Sequence, residues 1–202
     1  TKEIIRMARL SKGMISNAMD GFVNSNRRAL ALIPRKEGAV DSLQEAITNY
    51  LMELAQLELS PEQSRKIPAL LHSVNDIERI GDHCENLAEL AERKMEQNLF
   101  FSADAVMELK DMYNDIMTMS DKILKALETN KKEDAEEAFA IEDKVNRMTN
   151  MFRQNHIQRL NEGKCKVLSG IVFLDMVSNF EKIGDHLTNI AEAVSGRLQW
   201  QA

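Results

Sequence analysis

The stretches "RIGDHCENLAE", beginning at Arg79, and "KIGDHLTNIAE", beginning at Lys182, stand 103 residues apart. They share Ile-Gly-Asp-His outright, then an Asn and an Ala-Glu at identical spacing. In both, a Glu (Glu78 or Glu181) precedes the shared Asp by four residues. A repeat of this length constrains the fold more than any other feature, because whatever unit carries it has to be built twice from one chain.

Apolar spacing assigns the unit to helices. Ile4, Met7, Ile15, Met19, Phe22 and Leu30 recur at helical intervals until Pro34, which predicts the end of a first helix. A second pattern runs through Val40, Leu43, Ile47, Leu51 and Leu54. It stops at "LSPEQ", where Ser60 is placed to cap and Pro61 to occupy the first position of a third helix carrying Ile67 to Ala91. The programme restarts at "FFSAD" with Ser102 as cap, and a fourth helix holds Val106 to Leu127. After a turn at "TNKKED" a fifth helix runs from about Asp134 to Leu160, Gly163 stops it, and a sixth holds Val172 to Val194. The expected architecture is all-α, two tandem three-helix repeats in an elongated six-helix bundle, with units at 1–98 and 99–202. Few aromatic, Gly and Pro residues agree with helix throughout.

Acidic pairs carry the chemistry. Glu78 and Asp82 share one helix face, as do Glu181 and Asp185. A fainter pair, Glu37 and Asp41 in "EGAVD", lies one helix earlier, and its counterpart in "IEDKVN" is Glu142 with the neutral Asn146. Antiparallel packing of the second and third helices brings Glu37 and Asp41 toward Glu78 and Asp82. Clustered carboxylates suit magnesium, manganese, calcium or iron, and Asn146 points to a weaker second site. The same pattern also fits a solvated acidic face. Gly81 and Gly184 fit either a helix–helix contact or close approach of a bound cluster. His83 and His186, turned about a hundred degrees from the acids, are expected to bond to a neighbouring helix.

Other classes are disfavoured. A net charge of −6 argues against nucleic-acid binding, no apolar run reaches membrane-spanning length, and the site has no inward Glu-x-x-His of a di-iron oxidase. No phosphate loop or activated nucleophile is evident, so the chain is read as non-enzymatic. Cys84 and Cys165 are expected to be reduced residues of the core or of helix faces. The basic stretch "FRQNHIQRLNEGKCK", with Arg153, His156, Arg159, Lys164 and Lys166, reads as a solvated helix end; anionic lipid, phosphate or an acidic partner are the alternatives.

"DIERIGDHCENLAE" and "NFEKIGDHLTNIAE" resemble the twin signature of the PhoU family over essentially the full chain. That resemblance implies metal clusters of iron, zinc, manganese or magnesium held by Glu37, Asp41, Glu78, Asp82, Glu142, Glu181 and Asp185, with Asn146 departing from the pattern. "IIRMARLSKGMI", "FRQNHIQRLNEGKC" and "GIVFLDMVSNFEKIGDH" look like the PhoU-like tail of bacterial sodium/phosphate cotransporters, and the start at Thr1 agrees with a segment of a longer protein. On this basis the expected role is control of phosphate uptake at the cytoplasmic face of the plasma membrane. The partner would be a membrane transport domain of the same or another chain, and a homo-oligomer is compatible with it. The alternative is a free-standing regulator acting on an ABC phosphate transporter and a sensor kinase.

Overall fold

A computed structural model describes residues 2–129 and 131–196. Among them the chain forms six long helices and one single-turn helix: α1 (Lys2–Asn24), α2 (Arg27–Leu30), α3 (Ile33–Ala55), α4 (Pro61–Glu96), α5 (Ala103–Thr129), α6 (Lys132–Asn161) and α7 (Val167–Ser195). The first repeat is α1, α3 and α4; the second is α5, α6 and α7. Asn130, in the expected turn after α5, lies outside the described residues.

Within each repeat all three long helices pack on one another, while α4 against α7 and α1 against α5 join the halves. The four joining helices make a central layer, with α3 and α6 on its flanks. At 36 residues α4 spans about 54 Å, which elongates the bundle. A single apolar core runs through both halves, from Met7, Met14 and Phe22 in α1 to Phe173, Met176 and Phe180 in α7. The flanking α3 buries only Ile33, Val40 and Leu51.

Several ends follow their sequence signals. Ser60 Oγ accepts from Gln63 N and Gln63 Oε1 accepts from Ser60 N, closing a capping box with Pro61 at the first helical position. Ser102 Oγ accepts from Ala105 N. Gly163, at φ +69°, ends α6.

The first helix departs from expectation. It does not run through Ala29 and Leu30 to Pro34; it stops at Asn24, ten residues earlier. Ser25 takes φ +55°, and Asn26 caps α2 by accepting from Arg28 N and Ala29 N. Asp20 clamps the turn by accepting from Asn24 and Asn26. Leu30 folds back onto Gly21, where a methyl group would run into it. Pro34 therefore opens α3 instead of closing α1, because a missing N–H is harmless in a first helical turn. That places Glu37 inside α3, one turn from Asp41.

Gly81 and Gly184 both face the core, as helix–helix contacts. A Cβ on Gly81 would lie 3.8 Å from Met14 Cε and Val40 Cγ1, an ordinary contact, whereas one on Gly184 would press to 3.3 Å from Ile116 Cδ1. Gly81→Ala is therefore expected to stabilise the protein by about 0.5–1 kcal/mol in urea unfolding; destabilisation would show that α3 needs the space.

Candidate functional site

Antiparallel packing of α3 on α4 gathers the first acidic group. Glu37 and Asp41 hydrogen-bond to each other, and the charges of Asp82 and Glu85 act on Glu37 as well. Burial, reinforced by these neighbours, raises the Glu37 carboxyl to about 7. Glu78 is also raised, first by burial and then by Asp82, with Arg79 opposing. Glu85 is raised by burial, Asp82 and Asp41. The expected meeting of Glu37 and Asp41 with Glu78 and Asp82 thus occurs, joined by Glu85, one turn beyond Asp82. The one cation paired within this group is Arg79, 3.1 Å from Asp82 and 3.7 Å from Glu78.

The second group is built on α6 and α7, and each of its carboxylates already has a side-chain partner. Asn146 donates to Glu142. Arg153 lies 3.5 Å from Glu181, and Lys182 lies 2.8 Å from Asp185. The position matching Glu85 is Thr188, and the one matching Arg153 is Thr48. Five carboxylates and one cation in the first repeat thus become three carboxylates and two cations in the second. Glu142, Asp185 and His186 border an open hollow of about 490 Å³.

Among the described residues, no three His, Cys, Asp or Glu side chains converge closely enough to hold a metal ion as they stand. The donor set of the first group nevertheless fits a hard cation. All its ligand atoms are carboxylate oxygens, and burial first, then the neighbouring acids, disfavours the charged form of Glu37, a cost that a cation would offset.

The histidines bond across the repeats, as expected. His83 Nδ1 lies 2.9 Å from Asn179 Oδ1 and His186 Nδ1 lies 2.8 Å from Asp76 Oδ1, with the rings 5.5 Å apart. Asn189 also donates to Asp76. Asp76 and Asn179 occupy equivalent positions, two residues before each motif Glu; sequence reasoning missed them, although that offset was the signal.

The basic stretch is only in part a solvated helix end. Lys164 and Lys166 are exposed, but His156 and Arg159 are buried. The apolar environment of Phe173 and the pairing of Arg159 with Glu108 explain this. Burial and the Arg159 charge hold His156 below the usual histidine range. Cys84 is a core thiol, pushed up by burial. Cys165 lies instead in the turn between α6 and α7, with Sγ 3.8 Å from His156 Nδ1.

Fold and site together define a duplicated all-α protein with one charge-rich and one largely paired acidic group. The sequence profile described as the PhoU domain matches residues 4–91 and 109–194, and the chain belongs to the PhoU family. It is 30% identical over 197 residues to a protein of Xylella fastidiosa named as a phosphate-specific transport system accessory protein PhoU homolog, covering 95% of this chain and 79% of that one. It is 25% identical to a Clostridium acetobutylicum protein of the same description, covering 95% and 87%. The fold matches the crystal structure of PhoU from Pseudomonas aeruginosa with a TM-score of 0.89 at 20% identity, covering 96% of this chain and 92% of that one. The phosphate transport system regulatory protein PhoU from Streptococcus pneumoniae gives 0.82 at 18%, covering 96% and 90%. No described helix is long and apolar enough to cross a membrane.

Proposed function

We propose that this chain is a non-catalytic, metal-binding regulator of phosphate uptake, working in the cytoplasm against the inner-membrane part of a phosphate transport system. The observation that carries the reading is family membership over both repeats, joined to relatives named as accessory proteins of phosphate-specific transport. Those names support the accessory-protein form, acting on an ABC transporter and a sensor kinase, over the tail of a sodium/phosphate cotransporter. Glu37, Asp41, Glu78 and Asp82, with Glu85 beside them, would hold the metal. Its charge would replace the proton that Glu37 and Asp41 share and fix α3 against α4. Glu142, Glu181 and Asp185 would hold a second ion only weakly, because Arg153, Lys182 and Asn146 already occupy them.

The test is complementation in a bacterium lacking its own PhoU-type regulator. Expression of this chain is expected to restore repression of phosphate uptake in phosphate-rich medium. Unchanged uptake through the ABC system, with altered sodium-dependent uptake in a strain carrying the cotransporter, would overturn the accessory form in favour of the cotransporter tail.

A further inference from the structure

The end of the bundle where α6 passes into α7 combines two properties that the acidic groups do not explain. The first is apolar exposure. Among the described residues twelve large hydrophobic side chains are exposed, and half of them lie here: Phe100, Ile157, Leu160, Val167, Leu168 and Ile171. Phe100 is 73% exposed and Val167 65%. Such clustering on one small end is not the scattered exposure of ordinary surfaces. Val167, Leu168 and Ile171 fall within one face of the first turns of α7. The Arg153–Glu181 contact shows that the Arg153 side of α6, which carries Ile157 and Leu160, adjoins that face. Phe100 borders the same end, sharing a small cavity with Lys164 and Cys165.

The second property is charge. The chain is acidic overall, yet Lys164 and Lys166 stand exposed in the turn between α6 and α7, and the exposed Arg27 and Arg28 open α2. Arg27 lines an open hollow of about 470 Å³ together with Phe100. The acids beside these cations are Glu162, which pairs with Lys164 at 2.8 Å, Asp104, which also acts on Lys164, and Asp20, whose carboxylate holds Asn24 and Asn26 just before Arg27. The acidic motif of α7 is remote: Glu181 lies fourteen residues along the helix from Val167, about 21 Å. That exceeds the screening length of about 8 Å at physiological salt, so the motif does not cancel the field at this end.

We propose that this end docks on an anionic lipid surface, with Ile157, Val167, Leu168 and Ile171 entering the headgroup boundary and Lys164, Lys166, Arg27 and Arg28 meeting lipid phosphates. Protruding aliphatic side chains with a cationic rim match an interfacial membrane contact. They match a protein groove less well, since hot spots there favour Trp, Tyr and Arg set in a desolvated pocket. The contact is peripheral, because no described helix is long and apolar enough to span a membrane. It stands independently of the metal reading.

The experiment is co-sedimentation of the full chain with vesicles of phosphatidylcholine alone and of equimolar phosphatidylcholine and phosphatidylglycerol. The wild type is expected to bind the anionic vesicles, to leave the neutral ones in solution, and to be released by high salt. Val167→Ser/Ile171→Ser and Lys164→Glu/Lys166→Glu should each weaken binding on the order of tenfold. All four positions are exposed, so circular dichroism should show unchanged helix content. Absence of wild-type binding, or variants that bind as the wild type does, overturns the proposal. So does a wild-type dimer that Val167→Ser/Ile171→Ser disperses without any lipid binding, which would make this end an interface between two copies.

Discussion

Arg159→Ala is expected to lower the unfolding free energy by about 3 kcal/mol, in the range found when one partner of a buried ion pair is removed. The guanidinium makes two bonds to Glu108, at 2.9 and 2.7 Å, and lies 5.0 Å from the centre of the Phe173 ring. Asn155 adds a third bond to the same carboxylate at 2.8 Å. The Arg159 and Glu108 side chains are only 11% and 13% exposed, so truncation leaves a carboxylate short of water and of its partner. Glu108→Leu/Arg159→Met removes both charges and should recover most of the loss. Urea unfolding of the single and double variants decides the matter. A single-variant loss below about 1 kcal/mol would mean that Glu108 is solvated as exposed pairs are.

The second large effect separates the repeats. Glu78→Ala/Asp82→Ala should reduce affinity for a divalent cation by a hundredfold or so, whereas Glu181→Ala/Asp185→Ala should change it little. Calorimetric titration with manganese reads both, and equal losses would refute the asymmetry. Binding is linked to pH through Glu37, whose carboxyl stands near 7 in the folded protein against an ordinary 4.5. Between those values the metal-free folded chain keeps a proton that the unfolded chain releases. Its contribution to stability is present below the ordinary value and is lost as pH rises through about 7. Metal binding displaces the proton, so affinity should rise across the same window, with proton release detected as a buffer-dependent heat. Glu37→Gln should abolish both trends.

The helical programme was legible because a 3.6-residue apolar period, repeated twice, leaves few alternatives. The break at Asn24 was not, since the apolar spacing continues into Leu30; the signal lay in Asn24-Ser25-Asn26, where a side-chain cap outcompetes continuation. The packing of α3 on α4 sets Glu37 and Asp41 within electrostatic reach of Glu78 and Asp82, as spacing and antiparallel packing imply. Glu85 was overlooked although spacing held the signal: three residues past Asp82 and seven past Glu78, it lies on the same face of α4. The burial of Arg159 escaped for a different reason. Its partner Glu108 lies 51 residues away, and only tertiary packing reveals that the guanidinium has left water.

The crossed bonds of His83 to Asn179 and His186 to Asp76 bear on how the halves came to depend on each other. A lone repeat would expose the apolar faces that α4 and α7 cover for each other, and its simplest remedy would be to pair with a copy of itself. Two copies of the first repeat would set two carboxylates against two imidazoles; two copies of the second would set none. With Asp76 in one repeat and Asn179 in the other, the joined chain sets a single carboxylate beside the two rings, an arrangement neither half can reproduce alone. The two repeats are complementary and not interchangeable, and the covalent link between them guarantees the right pairing.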